Sequence, residues 1–254
     1  VSNDAIALPA AAGQVDAAAL AGRSVLVVGA SGAYGTAIAR ACAQAGAIVV
    51  LAGRRVPALE RLYDELSATG GQAALYPINL EGAQPDDFDT LGATLLREFG
   101  GIDGIVFAAG RLHGLAALEH HDGQEWLRTW HLHLNVPFLL LRGCLAALRA
   151  KQGALLLCMD DPARTDQALW GAYGVAQGGL RSFLQMAGEE TARLGPRVYG
   201  LLLPPSRSQL NQRAFPARSP EEFSDPATIA PAAVWALASD AASGSLFDAR
   251  ALAD

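Results

Sequence analysis

The chain has 254 residues, 51% of them hydrophobic, and a formal net charge of −6. That length suffices for one large α/β core, and the acidity argues against a general nucleic-acid binder. No apolar run reaches the length of a bilayer span, and the first residues lack the basic-then-apolar order of a secretory signal, so neither a membrane partner nor export is expected.

Residues 1–21, rich in alanine and polar residues, read as an N-terminal extension, and 22–254 as one domain. Apolar runs predict strands at 24–29, 47–52, 73–78, 104–108, 154–159, 198–203 and near 245–248. Helical patterns fall between them at about 34–45, 56–68, 86–99, 124–150, 172–194 and 228–238. This alternation predicts an α/β fold, a seven-stranded parallel sheet with helices on both faces. The stretch Leu203 to Pro226 is the longest irregular segment. It comes after the carboxyl end of a strand, where open α/β sheets bind ligands, so it is either a lid or a plain surface loop. Its Arg207, Arg213 and Arg218 suggest an anionic ligand, or are ordinary loop arginines.

The three cysteines, Cys42, Cys144 and Cys158, lie in apolar segments and read as buried thiols of a reducing cytoplasm. No Cys/His spacing suggests a metal. His131 and His133 are two apart, so on a helix they diverge.

The most informative segment is the first strand together with the turn, helix and second strand after it. Ser24–Val28 leads into Gly29-Ala30-Ser31-Gly32-Ala33-Tyr34-Gly35, then a helix, then a strand ending at Gly53-Arg54-Arg55. This is the plan of a Rossmann-type dinucleotide site, in which a glycine turn brings backbone N–H groups and a helix N-terminus against a pyrophosphate. The residue just past the second strand meets the adenosine ribose. An acid there suits a free 2′-hydroxyl, whereas arginine suits a 2′-phosphate through forked, charge-assisted hydrogen bonds. Arg54 and Arg55 therefore point to NADP, unless they are only the solvated start of the next helix.

Taken in order, these residues resemble the classical branch of the short-chain dehydrogenase/reductase family over about residues 22–250. Gly29 and Gly35 match the outer glycines of the family's turn, with Ala33 in place of the middle one and Gly32 beside it. Asp103 to Gly110 resembles the strand entering the Asn-Asn-Ala-Gly motif but keeps only Ala109-Gly110. Asn79 stands where an aspartate near the adenine is usual, and Gly171-Ala-Tyr173 matches the catalytic tyrosine's motif. The resemblance implies a doubly wound fold, NADP at Gly29, Ser31, Gly32, Ala33, Tyr34, Gly35, Arg54, Arg55, Asn79, Ala109, Gly110, Tyr173 and Gln177, and a small-molecule carbonyl or alcohol substrate. It also implies pairing of the long helices 126–150 and 172–193 across a two-fold axis, hence a homodimer or homotetramer.

The resemblance fails at the chemistry. In the family, a tyrosine donates a proton to the carbonyl, a lysine four residues on lowers its pKa, a serine thirteen residues before it positions substrate, and an asparagine on the preceding helix holds a water. Here Tyr173 remains, but the lysine position is Gln177 and the serine position Asp160. His133 takes the asparagine's place if Pro137-Phe138 sets the register; a shift of two residues would make it Asn135. The Pro-Gly bordering the nicotinamide is replaced by Leu203-Pro204-Pro205, and Tyr34 replaces the small apolar residue usual beside that ring. The sole lysine, Lys151, lies at the opposite edge of the sheet. An unassisted tyrosine is phenolate in only about one part in a thousand at pH 7. Two functions are compatible with this pattern. One is an NADP-dependent oxidoreductase of impaired or altered chemistry, with Asp160, His133, Tyr173 and Gln177 as candidate catalytic residues. The other is a non-catalytic dinucleotide sensor or scaffold.

Overall fold

A computed structural model describes residues 5–193 and 195–253. The strands are β1 (Ile6–Ala7), β2 (Ser24–Val28), β3 (Ile48–Gly53), β4 (Gln72–Pro77), β5 (Gly104–Phe107), β6 (Ala154–Asp160), β7 (Arg197–Leu203) and β8 (Leu246–Asp248). All pair in parallel, in the order β1-β8-β7-β6-β5-β2-β3-β4. The sheet is Rossmann-type and doubly wound, but eight-stranded where the apolar runs predict seven. The extra strand comes from the segment that reads as an extension: Ile6 pairs with Phe247 and Ala7 with Asp248. The same segment buries Ala12 and packs Leu20 into the main core.

The sheet reads as unbroken apolar runs because helices cover both faces. One face is packed by α1 (Ala33–Gln44), α2 (Val56–Ala68) and, late in the chain, the short α10 (Pro226–Ile229) and α11 (Pro231–Ala238), around residues such as Ile38, Leu59 and Val234. The other is packed by α3 (Pro85–Phe99) and the helices flanking β6, around Phe88, Leu140 and Leu184. The helix expected over 124–150 is interrupted. It runs as α4 (Gly123–Trp130), a π-helical turn (His131–Asn135), α5 (Val136–Gly143) and α6 (Leu145–Ala150). Pro137 enters at the first turn of α5, where its missing N–H costs little. Gly92 and Gly143 let α3 and α5 approach closely: a Cβ at Gly92 would lie 2.0 Å from the Gly143 carbonyl oxygen.

After β6 come α7 (Pro162–Thr165) and α8 (Gly171–Thr191), and after β7 comes α9 (Gln209–Ala214). The segment Leu203 to Pro226 is therefore not irregular throughout. α9 and Phe215 fold over Trp170, Tyr173 and Leu112 in a small apolar cluster of their own. β2 pairs with β3 on one side and β5 on the other. The chain runs outward through β4 and returns at β5, which puts the switch point of the sheet, and the crevice that accompanies it, at the carboxyl ends of β2 and β5.

Candidate functional site

The crevice starts at the turn after β2. Gly29 has φ +87°, a conformation that favours glycine, and a Cβ there would lie 2.7 Å from the Ala109 backbone. A Cβ at Gly35 would lie 2.0 Å from the Gly29 carbonyl oxygen. These two glycines are thus required for the turn to close against the end of β5. Gly32 precedes the first residue of α1, Ala33, and no side chain caps that helix. A twelve-residue helix whose N-terminus is left to backbone N–H groups suits a phosphate group.

Arg54 and Arg55 stand at the end of β3, both exposed. Arg55 reaches back onto the turn, donating from Nε to Ser31 Oγ at 3.3 Å and from Nη2 to the Ser31 carbonyl. Arg54 donates to Glu81 at 2.7 Å. The other oxygen of Glu81 accepts from Arg111 at 3.1 Å, and Arg111 in turn pairs with Glu125. Asn79 is exposed two residues before Glu81. The adenosine side of the crevice therefore fits a 2′-phosphorylated nucleotide: an uncapped helix, a cradle that only glycine permits, and two arginines at its rim.

The nicotinamide side is different. A cavity of about 90 Å³ is lined by Tyr34, Ala109, Gly110, His133, Asp160 and Tyr173, among others. Tyr34 and Pro204 both line it, and the Tyr34 hydroxyl donates to the Pro204 carbonyl at 2.8 Å. Burial pushes the Tyr34 phenol well above its ordinary pKa.

Tyr173, at the start of α8, is buried, and its hydroxyl donates to Asp160 Oδ2 at 3.0 Å. Burial first, then the Asp160 charge, raises the Tyr173 pKa well above 10, only partly opposed by Arg164. Asp160 is itself buried and also accepts from the Asp161 N–H at 2.7 Å. Its carboxylate is clamped by Arg164, whose Nε lies 3.1 Å from Oδ1 and whose Nη2 touches both oxygens. Arg164 also donates to Asn211 at 2.7 Å and lies over the Trp170 ring at 5.2 Å. Gln177 is buried, with its side-chain oxygen accepting from the Asp160 backbone N–H at 3.0 Å. It therefore binds the strand that carries Asp160.

His133 lies in the π-helical turn, which directs it inward, while Asn135 is exposed; of the two registers, the one with His133 at the site is what the structure has. Its ring meets Tyr173 edge-on at 4.9 Å, and Nε2 sits 3.0 Å from the Arg111 nitrogen and 2.9 Å from the Arg111 oxygen, serving one or the other according to tautomer. Among the described residues it makes no hydrogen bond to Asp160 or Tyr173. A continuous Asp160–His133–Tyr173 chain is therefore not formed; only its Asp160–Tyr173 link is. Burial lowers the His133 pKa to about 4. Between about pH 4 and 6.5 the unfolded chain takes up a proton that the folded one refuses, so stability is expected to fall as pH drops through that window. The loss is on the order of 3 kcal/mol. Urea unfolding of the wild type and His133→Asn at pH 7 and 4.5 checks this: the variant should lose distinctly less.

Arg164 was not legible as a site residue, although Asp160 and Arg164 at i, i+4 were visible. The three arginines of the 203–226 segment do not line the cavity as an anion site would require. Arg207 pairs with Asp225, Arg213 donates to the Leu112 carbonyl at 3.0 Å, and Arg218 lies over Phe215. Cys42 and Cys144 are buried as expected, whereas Cys158 is half-buried and borders the cavity; desolvation of its sulfur pushes the thiol up to about 12, which leaves no thiolate nucleophile at neutral pH.

Comparison with known proteins agrees with this architecture. The family described as short chain dehydrogenase matches residues 23–219. A short chain dehydrogenase of Pseudocercospora fijiensis is 29% identical over 185 residues; the match takes in 72% of this chain and spans 59% of that relative's length. Among solved structures, a short chain dehydrogenase from Pseudomonas syringae superposes with a TM-score of 0.88 at 27% identity, covering 93% of this chain and 98% of that one. One from Shigella flexneri 2a, solved in complex with NADP, gives 0.87 at 26% identity, over 92% and 99%.

Proposed function

The chain belongs to the short-chain dehydrogenase family, and on that footing we propose that it binds NADP(H) at its glycine turn, in an oxidoreductase site whose usual carbonyl–alcohol chemistry is impaired. The backbone N–H groups at the start of α1 would take the pyrophosphate, and Arg54 and Arg55 the 2′-phosphate. Asn79, Ala109, Gly110 and Gln177 border the rest of the path. The bound cofactor would supply a hydride.

The impairment rests on one observation. The proton of Tyr173 points at a carboxylate held by Arg164, rather than at a substrate oxygen. A tyrosine that must both leave Asp160 and work without a nearby unpaired cation is a poor acid for a carbonyl and a poorer base for an alcohol. Asp160 itself presents acceptors where a carbonyl needs a donor. A reductase and dehydrogenase screen over small carbonyls and alcohols, with NADPH or NADP, tests this: turnover near background is expected, and an ordinary enzymic rate would sink the reading. The place of Tyr34 across from Pro204 in that cavity favours the second reading, a dinucleotide sensor or scaffold.

The arginines make a cofactor preference testable. NADPH is expected to bind more tightly than NADH, and Arg54→Ala with Arg55→Ala should reduce that preference by about 1–3 kcal/mol, the scale of charged hydrogen bonds. Calorimetric titration of both cofactors against both proteins measures it.

Assembly as a homodimer or homotetramer is part of the same reading. Leu127 on α4, Phe138 on α5, and Val175 and Met186 on α8 are exposed large apolar side chains on the helices expected to pair. Light scattering at micromolar concentration should give at least twice the mass of the chain, and a monomer would count against it. No helix among the described residues is long and apolar enough to cross a membrane.

A further inference from the structure

Tyr34 occupies the second position of α1, and its bond to Pro204 joins the glycine turn to the end of β7, 170 positions away. Ser206, which lines the same cavity, is wholly buried. The space left beside Tyr173 and Asp160 is about 90 Å³. Clefts that enclose an organic ligand run to roughly 300–1,000 Å³. For the nicotinamide ring to enter, the half-buried Tyr34 ring would have to move aside from its place against Pro204. On the other side of the turn the N-terminus of α1 is uncapped, and Arg54 and Arg55 are exposed at the rim, held on Glu81 and Ser31.

We propose that Tyr34 divides the crevice, leaving a site for the 2′-phosphorylated adenosine diphosphate half of a dinucleotide and shutting out the nicotinamide half. The inference rests on the reading that the glycine turn binds NADP(H), and it changes the ligand class. The protein recognises the end of the cofactor that is the same in its oxidised and reduced forms, so it responds to the amount of phosphorylated dinucleotide and not to its redox state. Arg54, Arg55 and the turn supply the recognition; the nicotinamide riboside remains in solvent. Tyr34 acts here by volume, with the Pro204 bond fixing the ring's position.

The test compares NADPH, NADP and 2′-phospho-ADP-ribose by calorimetry on the full chain, together with the emission of bound NADPH. In the wild type the three should bind about equally and NADPH emission should keep its solvent-exposed wavelength. In Tyr34→Ala, NADPH should gain about tenfold or more over 2′-phospho-ADP-ribose, equivalent to about 1.4 kcal/mol, with an emission shift that marks a buried nicotinamide. Tyr34→Phe keeps the ring and its packing, and should behave as the wild type. Tighter wild-type binding of NADPH than of 2′-phospho-ADP-ribose by tenfold, or a shifted emission in the wild type, overturns the inference and leaves the cofactor reading standing. A Tyr34→Ala protein that folds and binds both equally also overturns it. Binding of none of the three overturns both. Should Tyr34→Ala fail to fold, the wild-type ratio and emission still decide the matter.

Discussion

Asp160→Ala is expected to destabilise the protein by about 3–5 kcal/mol, the cost of leaving one member of a buried ion pair uncompensated. Arg164 is only 15% exposed at its side chain, and Asp160 is the one carboxylate it meets among the described residues. Without it the guanidinium keeps only the Asn211 oxygen and the face of Trp170. The Asp161 N–H and the Tyr173 hydroxyl lose their acceptor as well. Asp160→Asn, which keeps an acceptor but not the charge, should cost less. The double change Asp160→Ala with Arg164→Met should recover a large part of the loss, because the stranded charge is gone. Urea unfolding midpoints of the four proteins decide it. If the double variant is no more stable than Asp160→Ala, the ion pair is not what holds this corner together.

Recovery of catalysis should need four changes, not three. His133→Asn, Asp160→Ser and Gln177→Lys together put back the residue types that the family uses, yet with Tyr34 in place carbonyl reduction should stay near background. Adding Tyr34→Ala should raise turnover by about a hundredfold or more. The reasoning is electrostatic. A lysine about 4 Å from Tyr173 at an effective dielectric of 20 favours phenolate by up to roughly 4 kcal/mol, about three pKa units. Burial is the main reason the Tyr173 pKa is high; removing Asp160 deletes the charge that adds to it and frees Arg164, which lowers it. Single replacements should achieve little, since groups that act as a unit are strongly non-additive. Steady-state NADPH oxidation with a panel of carbonyls measures this. A triple variant as active as the quadruple would show that Tyr34 does not guard the ring site.

The sheet and most helices were legible because parallel strands buried on both faces leave long apolar runs, as in Val25–Val28 and Leu155–Leu157, and the expected bounds lie within a residue or two of those observed for the seven longer strands. Ile6–Ala7 was not legible: two residues have no periodicity, and their strand exists only because β8 offers an edge. Nor was the interruption of the 124–150 helix, where only Pro137 announced a change. At the site, the resemblance to the family's motif offsets grouped Tyr173, Asp160 and Gln177, and it left His133 and Asn135 to compete. The partners that set their behaviour were out of reach. Tyr34 meets Pro204 across 170 positions, Arg213 meets Leu112 across 101, and Glu81 intercepts Arg54 from a loop after β4. Local sequence carries propensity and pattern; it does not say which distant carbonyl a side chain will find.

The pairing of β1 with β8 has a consequence for how the chain assembles. It joins the first described strand to the last, so the loop it closes is nearly the whole chain, and the entropy of closing it is the largest any pair in the sheet must meet. Two ladder residues give little in return, and the contact becomes favourable only once β8 is already seated on β7. β1 should therefore be the last strand to dock during folding and the first to detach, an edge that opens while the crevice at the centre of the sheet stays shut.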